Sequence, residues 1–229
     1  MAKERYIQRH SLQARVTHDS FVICCIWLMI SGLFVFVPAL NGAVGADVAQ
    51  GMRVSHRVVG CLLIAIPLVS ALSAPKGFKA FKDKYLCKWD ADDKEWMKKF
   101  IPYMLGPKKV HMPDADEVKS GQRVADGLLM VSAFFMAVSG LVLWLGGVFG
   151  ASAGVLSAMR FVHDLFFLIL VVFVIAHVYL GLGVFQPYRR TKQLMWGNGQ
   201  VSESDALYHW GKWARTEIEK GDKVVVKEE

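Results

Sequence analysis

The sequence predicts an all-α, integral membrane four-helix bundle. Of its 229 residues, 54 % are hydrophobic, and the mean hydropathy is +0.33. The apolar residues are also bunched into runs near the length of about 20 residues that a helix needs to cross a hydrocarbon core, rather than spread at the spacing of soluble helices. The whole chain, 1–229, reads as a single membrane domain. Its spans are expected at approximately 18–40, 54–74, 122–148 and 158–186, with a polar loop at 75–121 and a tail at 187–229.

The first span is the run Phe21 to Leu40, preceded by a polar head carrying Lys3, Arg5, Arg9 and Arg15. A secretory signal also begins with a basic head, but its apolar core is shorter, so the run is expected to stay as a helix with His18 at its entrance. A Gly-rich connection, Asn41 to Arg53, leads through His56-Arg57 into the second run, Val58 to Ala74. Pro67 lies inside it, which membrane helices tolerate, and Pro75-Lys76-Gly77 ends it. The segment from Lys76 to Arg123 is dense in lysine and interrupted by acids, and Trp96, Phe100, Ile101 and Met104 mark a short amphipathic helix around Asp93 to Met104, expected to lie on the membrane surface or on a neighbouring subunit. The third run is Val124 to Phe149, with Asp126 near its start. The fourth follows a small-residue turn and runs from Met159 to Phe185. A helix from Ser204 to Lys220 and a frayed end complete the chain. No internal repeat is visible.

The formal charge of +7 is not laid on one face, which argues against a nucleic-acid partner. Lys and Arg instead sort by segment, concentrating in the amino-terminal head, the long loop and the tail. The positive-inside rule then puts both termini and that loop in the cytoplasm, with the protein multi-pass in the cytoplasmic (inner) membrane. Cys24, Cys25, Cys61 and Cys87 form no zinc spacing, no pair for covalent haem attachment and no disulfide framework.

The fourth run carries His163 and His177, whose fourteen-residue separation amounts to roughly 21 Å of rise and about 40° of rotation. They share one face at two depths. Ionisable groups inside a membrane helix are costly and usually functional, and two imidazoles so placed suit the axial positions of two haems in a bundle of dihaem cytochrome b type. The alternative is a pair of packing histidines hydrogen-bonded to neighbours. The orientation pairs the ligands: His56 with His163 in the outer half, His18 with His177 in the inner half. His10, His111 and His209 are expected to be solvated. Arg53, Arg57, Arg160 and Asp164 sit at the outer level, where arginine can pair haem propionates or snorkel. Gly32, Gly60 and Gly140 leave room either for a flat macrocycle or for close helix contact.

The stretches Arg53-Val-Ser-His56-Arg-Val-Val-Gly60, Ser120-Gly-Gln-Arg123, Arg160-Phe-Val-His163 and Ile175-Ala-His177-Val-Tyr179, with His18 ahead of the first span and a Trp-rich tail reaching Arg215-Thr-Glu-Ile-Glu-Lys220, resemble the cytochrome b (gamma) subunit of respiratory, membrane-bound formate dehydrogenase over nearly the whole chain. The resemblance implies two b haems on the histidine pairs named above. It implies electrons received from an iron-sulfur (beta) subunit whose molybdenum or tungsten catalytic (alpha) partner oxidises formate outside the membrane, and menaquinone or another quinone reduced on the cytoplasmic side beside Gly121, Gln122 and His177. The family's Asn-x-Gly-Gln appears here as Lys119-Ser120-Gly121-Gln122, without the asparagine, and the loop 76–119 is long, placed to dock on a partner or cover the quinone site. A higher oligomer is compatible with this assembly. The same scaffold also suits the cytochrome b subunit of a hydrogenase or of a thiosulfate or polysulfide reductase, and a haem-free membrane anchor or transporter is the reading from a different class.

Overall fold

The computed structural model describes residues 3–188 and 190–228. The protein is an all-α membrane helical bundle, with a small β-sheet added. Among the described residues, four helices are long and apolar enough to span a bilayer: α1 (Leu12–Phe36), α3 (Ala46–Ser73), α6 (Ser120–Leu145) and α7 (Ala153–Gly181).

Their ends are set by local chemistry. The first span stops at Phe36 rather than Leu40 because Pro38 drives Val37 into extended backbone, φ −102° and ψ 104°, and opens the short α2 (Pro38–Ala43). Gly45, at φ 81°, turns the chain into α3, eight residues ahead of the expected start at 54. Pro67 is absorbed within α3. The helix α7 is unbroken across both His163 and His177 and ends at Gly181, before the positive-φ Gly183 and a 3₁₀ turn at Gln186–Tyr188.

The chain divides into two compact units. One comprises Val16–Phe78 and Ser132–Leu168 and so contains parts of all four spans. Its buried residues are small: Ala49 in α3, and the pairs Cys24 and Ser31 in α1 and Ser132 and Ser139 in α6. Each of these pairs is seven residues apart, so it forms a single stripe along its helix. The large side chains on these helices, such as Ile23, Val58, Phe134 and Phe161, point outward, as they must where the surrounding solvent is hydrocarbon.

The other unit comprises Met1–Arg15, Lys79–Val131 and Ile169–Glu229. It holds a three-stranded antiparallel sheet ordered β2-β1-β3, formed by β1 (Lys3–Gln8), β2 (Gln200–Ser202) and β3 (Val224–Glu228). Ile7, fully buried on β1, packs with Leu194, Val201, Ala206, Trp210, Trp213 and Ala214. The final segment is therefore a strand rather than a frayed end: Arg5 pairs with Val226 and Tyr6 with Val225. The partners lie at opposite ends of the chain, and a strand with one core-facing aliphatic leaves no local signature. The expected helix at 204–220 is broken at Trp210 (φ −141°, ψ 54°) into α9 (Glu203–His209) and α10 (Gly211–Lys220). That break lets both indoles enter the same core.

The long loop is ordered as α4 (Pro75–Tyr85) and α5 (Ala91–Leu105). A capping box between Asp90 and Asp93 starts α5. Asp93 also accepts from Ser120 Oγ (2.7 Å) and pairs with the buried Arg123 (3.0 Å), while Lys212 of α10 bridges Asp90 (2.8 Å) and Asp92 (2.7 Å). Trp96 and Tyr103 are buried, so the inner face of α5 packs on its own chain. Only Ile101 and Leu105 are left exposed among its larger aliphatics.

His209, expected to be solvated, is buried here: its ring stacks on Tyr188 at 4.9 Å between centroids, and its Nδ1 lies 3.1 Å from Lys119 Nζ. The polar tail folds into a core, which composition alone conceals. Burial, with Lys119 next, pulls His209 down to about 3. Burial also holds Lys119 well below the usual lysine range, and Arg9, whose guanidinium sits 3.9 Å from the Trp210 ring centroid, falls to about 10. The unfolded chain takes up the His209 proton near its ordinary 6.5, and the folded chain does so only near 3. Stability of this unit therefore rises with pH across that window and is lost on acidification, by a few kcal/mol at the low end. Thermal unfolding followed by tryptophan fluorescence between about pH 7 and about pH 4 should show this decline, and His209→Gln should flatten it.

Candidate haem and quinone site

The unit that contains parts of all four spans brings His56 and His163 together. His56 lies on α3 and His163 on α7, with ring centroids 6.4 Å apart and planes inclined at 65°. Each ring is held in the same way. His56 Nδ1 lies 2.9 Å from Ser31 Oγ, and His163 Nδ1 lies 2.9 Å from Ser139 Oγ. Each serine hydroxyl in turn reaches a carbonyl of its own helix, Ser31 to Trp27 at 2.7 Å and Ser139 to Phe135 at 2.6 Å. A glycine follows each serine. A Cβ on Gly32 would stand 3.3 Å from His56 Cε1, and one on Gly140 would stand 3.3 Å from His163 Cε1. These two glycines thus make room for the imidazoles, whereas Gly60 meets nothing within 4 Å.

This arrangement fits a haem iron. A metal–imidazole bond is about 2 Å, so rings whose centroids lie 6.4 Å apart would have space for one metal ion between them, and imidazole is a common axial ligand of haem. With both Nδ1 atoms engaged by serine, Nε2 is the nitrogen left on each ring for a ligand bond. The stripe of small residues, Cys24, Ser31, Ser132 and Ser139, suits a flat group between helices. Ser132 Oγ is buried without a hydrogen-bond partner, an orphaned polar atom on that same stripe.

Among the outer-level cations, Arg57 sets its guanidinium 5.8 Å from the Trp144 ring centroid, a cation–π contact suited to a charge near a membrane boundary. Arg160 is exposed and Arg53 half-buried.

His18 and His177 belong to different units, and each is described by its own surroundings. His18 Nδ1 lies 3.3 Å from Asp19 Oδ1. His177 Nδ1 lies 3.6 Å from Asp126 Oδ1. Asp126 gathers a further set: Tyr85 donates to its Oδ2 at 2.6 Å and Gln122 Nε2 donates to the same oxygen at 3.1 Å. Burial and this carboxylate hold the Tyr85 phenol well above its ordinary range. Gln122 and His177 thus meet on a carboxylate at the start of the third span, and sequence reasoning had noted that acid without giving it a role.

Gly121 packs directly beneath the Trp96 ring, where no Cβ would fit. Lys119 donates to Tyr188 OH at 2.9 Å and sits beside His209. It belongs to the Trp210 core rather than to the Asp126 cluster.

The serines were missed in the sequence, although a signal existed. Ser-Gly occurs in the first and the third span, 25 residues ahead of His56 and 24 ahead of His163. The two histidines thus share one pattern of partner, a serine followed by a glycine. Only three residues per half carry it, too few to rise above four spans of similar composition.

Residues 9–197 match the model of a family described as prokaryotic cytochrome b561. No curated protein matches the chain.

The Gly121–Trp96 contact yields a direct expectation. Gly121→Ala should force the indole of α5 off α6 and destabilise this unit by about 1–3 kcal/mol, the usual cost of overpacking. Thermal unfolding of the purified chain, compared with a Gly127→Ala control that meets open space, measures it.

Proposed function

Because the chain belongs to the prokaryotic cytochrome b561 family, and so is a membrane b-type cytochrome of electron transfer that binds haem b, we propose that it is the dihaem subunit linking a formate dehydrogenase to the quinone pool. The convergence of His56 and His163, each with its Nδ1 engaged, is the observation that supports it most. The resemblance at 53–60, 120–123, 160–163 and 175–179 supports the choice of formate dehydrogenase. An iron-sulfur (beta) subunit would deliver electrons from a molybdenum or tungsten (alpha) subunit on the outer side of the cytoplasmic membrane.

In this reading His56 and His163 hold the outer haem, and His18 and His177 hold the inner one. Haem, when bound, supplies a one-electron couple whose potential is set by its axial ligands and their hydrogen bonds. Arg57, with Arg53 and Arg160, offers positive charge to propionates at the outer level.

Quinone reduction needs protons as well as electrons. The Asp126 cluster offers a carboxylate, a phenol and an amide beside His177, groups that can take up a proton from the cytoplasmic side and hand it to a quinone oxygen. In this reading Gln122, whose Nε2 also donates to Asp126, donates to that oxygen. Gly121 lies under Trp96, so the quinone contact rests on Gln122 and His177, and α5 covers this edge of the site.

The purified chain should show b-type bands in a reduced-minus-oxidised spectrum, with two haems per chain by extraction. His56→Ala or His163→Ala should remove one of the two and abolish quinone reduction in the whole complex, while the catalytic partner still reduces a soluble dye with formate. A chain without b-type bands sinks the cytochrome reading. A haem-loaded chain that co-purifies with a hydrogenase or sulfur-compound reductase subunit sinks only the formate assignment.

A further inference from the structure

A buried serine carries a single hydroxyl proton, and in Ser31 and Ser139 that proton is already spent. Ser31 Oγ lies 2.7 Å from the Trp27 carbonyl and Ser139 Oγ lies 2.6 Å from the Phe135 carbonyl. A carbonyl only accepts, so the hydroxyl donates to it. What remains on the serine oxygen is a lone pair, and it faces His56 Nδ1 or His163 Nδ1 at 2.9 Å. Each imidazole must therefore carry its proton on Nδ1 and its lone pair on Nε2.

Both serines are fully buried, so water does not supply a competing partner, and the Leu28 and Met136 carbonyls that also hydrogen-bond His56 and His163 lie beside the serine oxygens at 3.4 and 3.3 Å and only accept, so they favour the same tautomer. The adjacent glycines let each ring lie against the helix backbone, which limits its rotation. The same serine–glycine–histidine device appears twice, on α1 with α3 and on α6 with α7. We propose that Ser31 and Ser139 are the positioning residues of the outer haem: together they fix the tautomer and orientation of His56 and His163, so that two Nε2 lone pairs are presented to one iron.

The device differs from the surroundings of His177, whose Nδ1 faces the carboxylate of Asp126. A neutral hydroxyl acceptor strengthens imidazole donation to ferric iron less than a carboxylate does. The serines thus orient the outer ligands without the strong push of an anionic acceptor, and this sets the outer site apart chemically.

The inference rests on the reading that His56 and His163 bind haem, and the test separates the two. Full-length wild type, Ser31→Ala, Ser139→Ala and the Ser31→Thr and Ser139→Thr variants are purified with haem and compared in three ways. These are the low-spin electron paramagnetic resonance signal of the oxidised outer haem, its midpoint potential, and the rate of haem transfer to an excess of a haem-binding acceptor protein. Each alanine variant should keep its b-type bands, move the low-spin signal, raise the midpoint potential because the imidazole donates less to ferric iron, and lose the outer haem about tenfold faster. The threonine variants, which keep the hydroxyl, should lie closer to wild type than the alanine variants do. The two serines are separate copies of one device, so each alanine variant checks the other. Haem-loaded alanine variants that match wild type in all three measurements overturn the serine assignment and leave the haem reading intact. An outer haem that survives both His56→Ala and His163→Ala, with the serines unchanged, overturns both.

Discussion

Inside a bilayer no water is at hand, so every buried donor and acceptor must find its partner within the protein. That constraint organises the membrane part of this chain. An imidazole brought into the bundle needs one nitrogen satisfied if the other is to stay available, and here the satisfaction comes from serines that also return their own proton to the helix, Ser31 to Trp27 and Ser139 to Phe135. The small residues follow from the same demand. Gly32 and Gly140 bring the rings close enough for the hydrogen bonds to form, and the stripe of Cys24, Ser31, Ser132 and Ser139 keeps bulk out of the centre. Bulky side chains are turned outward, where hydrocarbon accepts them at no cost.

The other unit, outside the parts of α6 and α7 that it contains, obeys the rules of water. Its core is aromatic and partly cationic: Arg9 lies over Trp210 and Trp213, at 3.9 and 4.9 Å from the ring centroids, and Lys119 lies 4.4 Å from that of Tyr188. Aromatic faces and carbonyl contacts, such as that of Arg9 with the Glu117 carbonyl, offset part of the cost of burying these charges. The rest is met by lowered proton affinity, most strongly at Lys119. Ion pairs then bind the long loop to this core: Asp93 with Arg123, Lys212 with Asp90 and Asp92, and Lys84 with Glu117. A segment that reads as a polar loop becomes a cover over the start of α6, with Trp96 seated on Gly121.

Much of the membrane architecture was legible because its signals are local. A run of apolar residues announces a span, Pro75-Lys76-Gly77 announces a stop, and a histidine within such a run announces expense and therefore purpose. The meeting of His56 with His163 followed from charge distribution and helix order. The serines did not follow, since a Ser-Gly pair in a membrane helix has many uses and only the approach of a second helix selects one. The sheet was hidden for another reason: Lys3–Gln8 gains strand character from pairing with residues near 200 and near 225, and no window along the chain contains both sides of that bond.

By itself the sequence determined what depends on neighbours along the chain: four spans, their order, and a family likeness that names haem. Tertiary structure decided what depends on neighbours in space. It chose which nitrogen of His56 and His163 is occupied, drew His209 and Lys119 out of solvent into a core, and gathered Tyr85, Gln122 and His177 on Asp126. Hydrogen bonds and burial act over a few ångströms regardless of sequence distance, and a linear pattern carries no record of them until the chain has closed on itself.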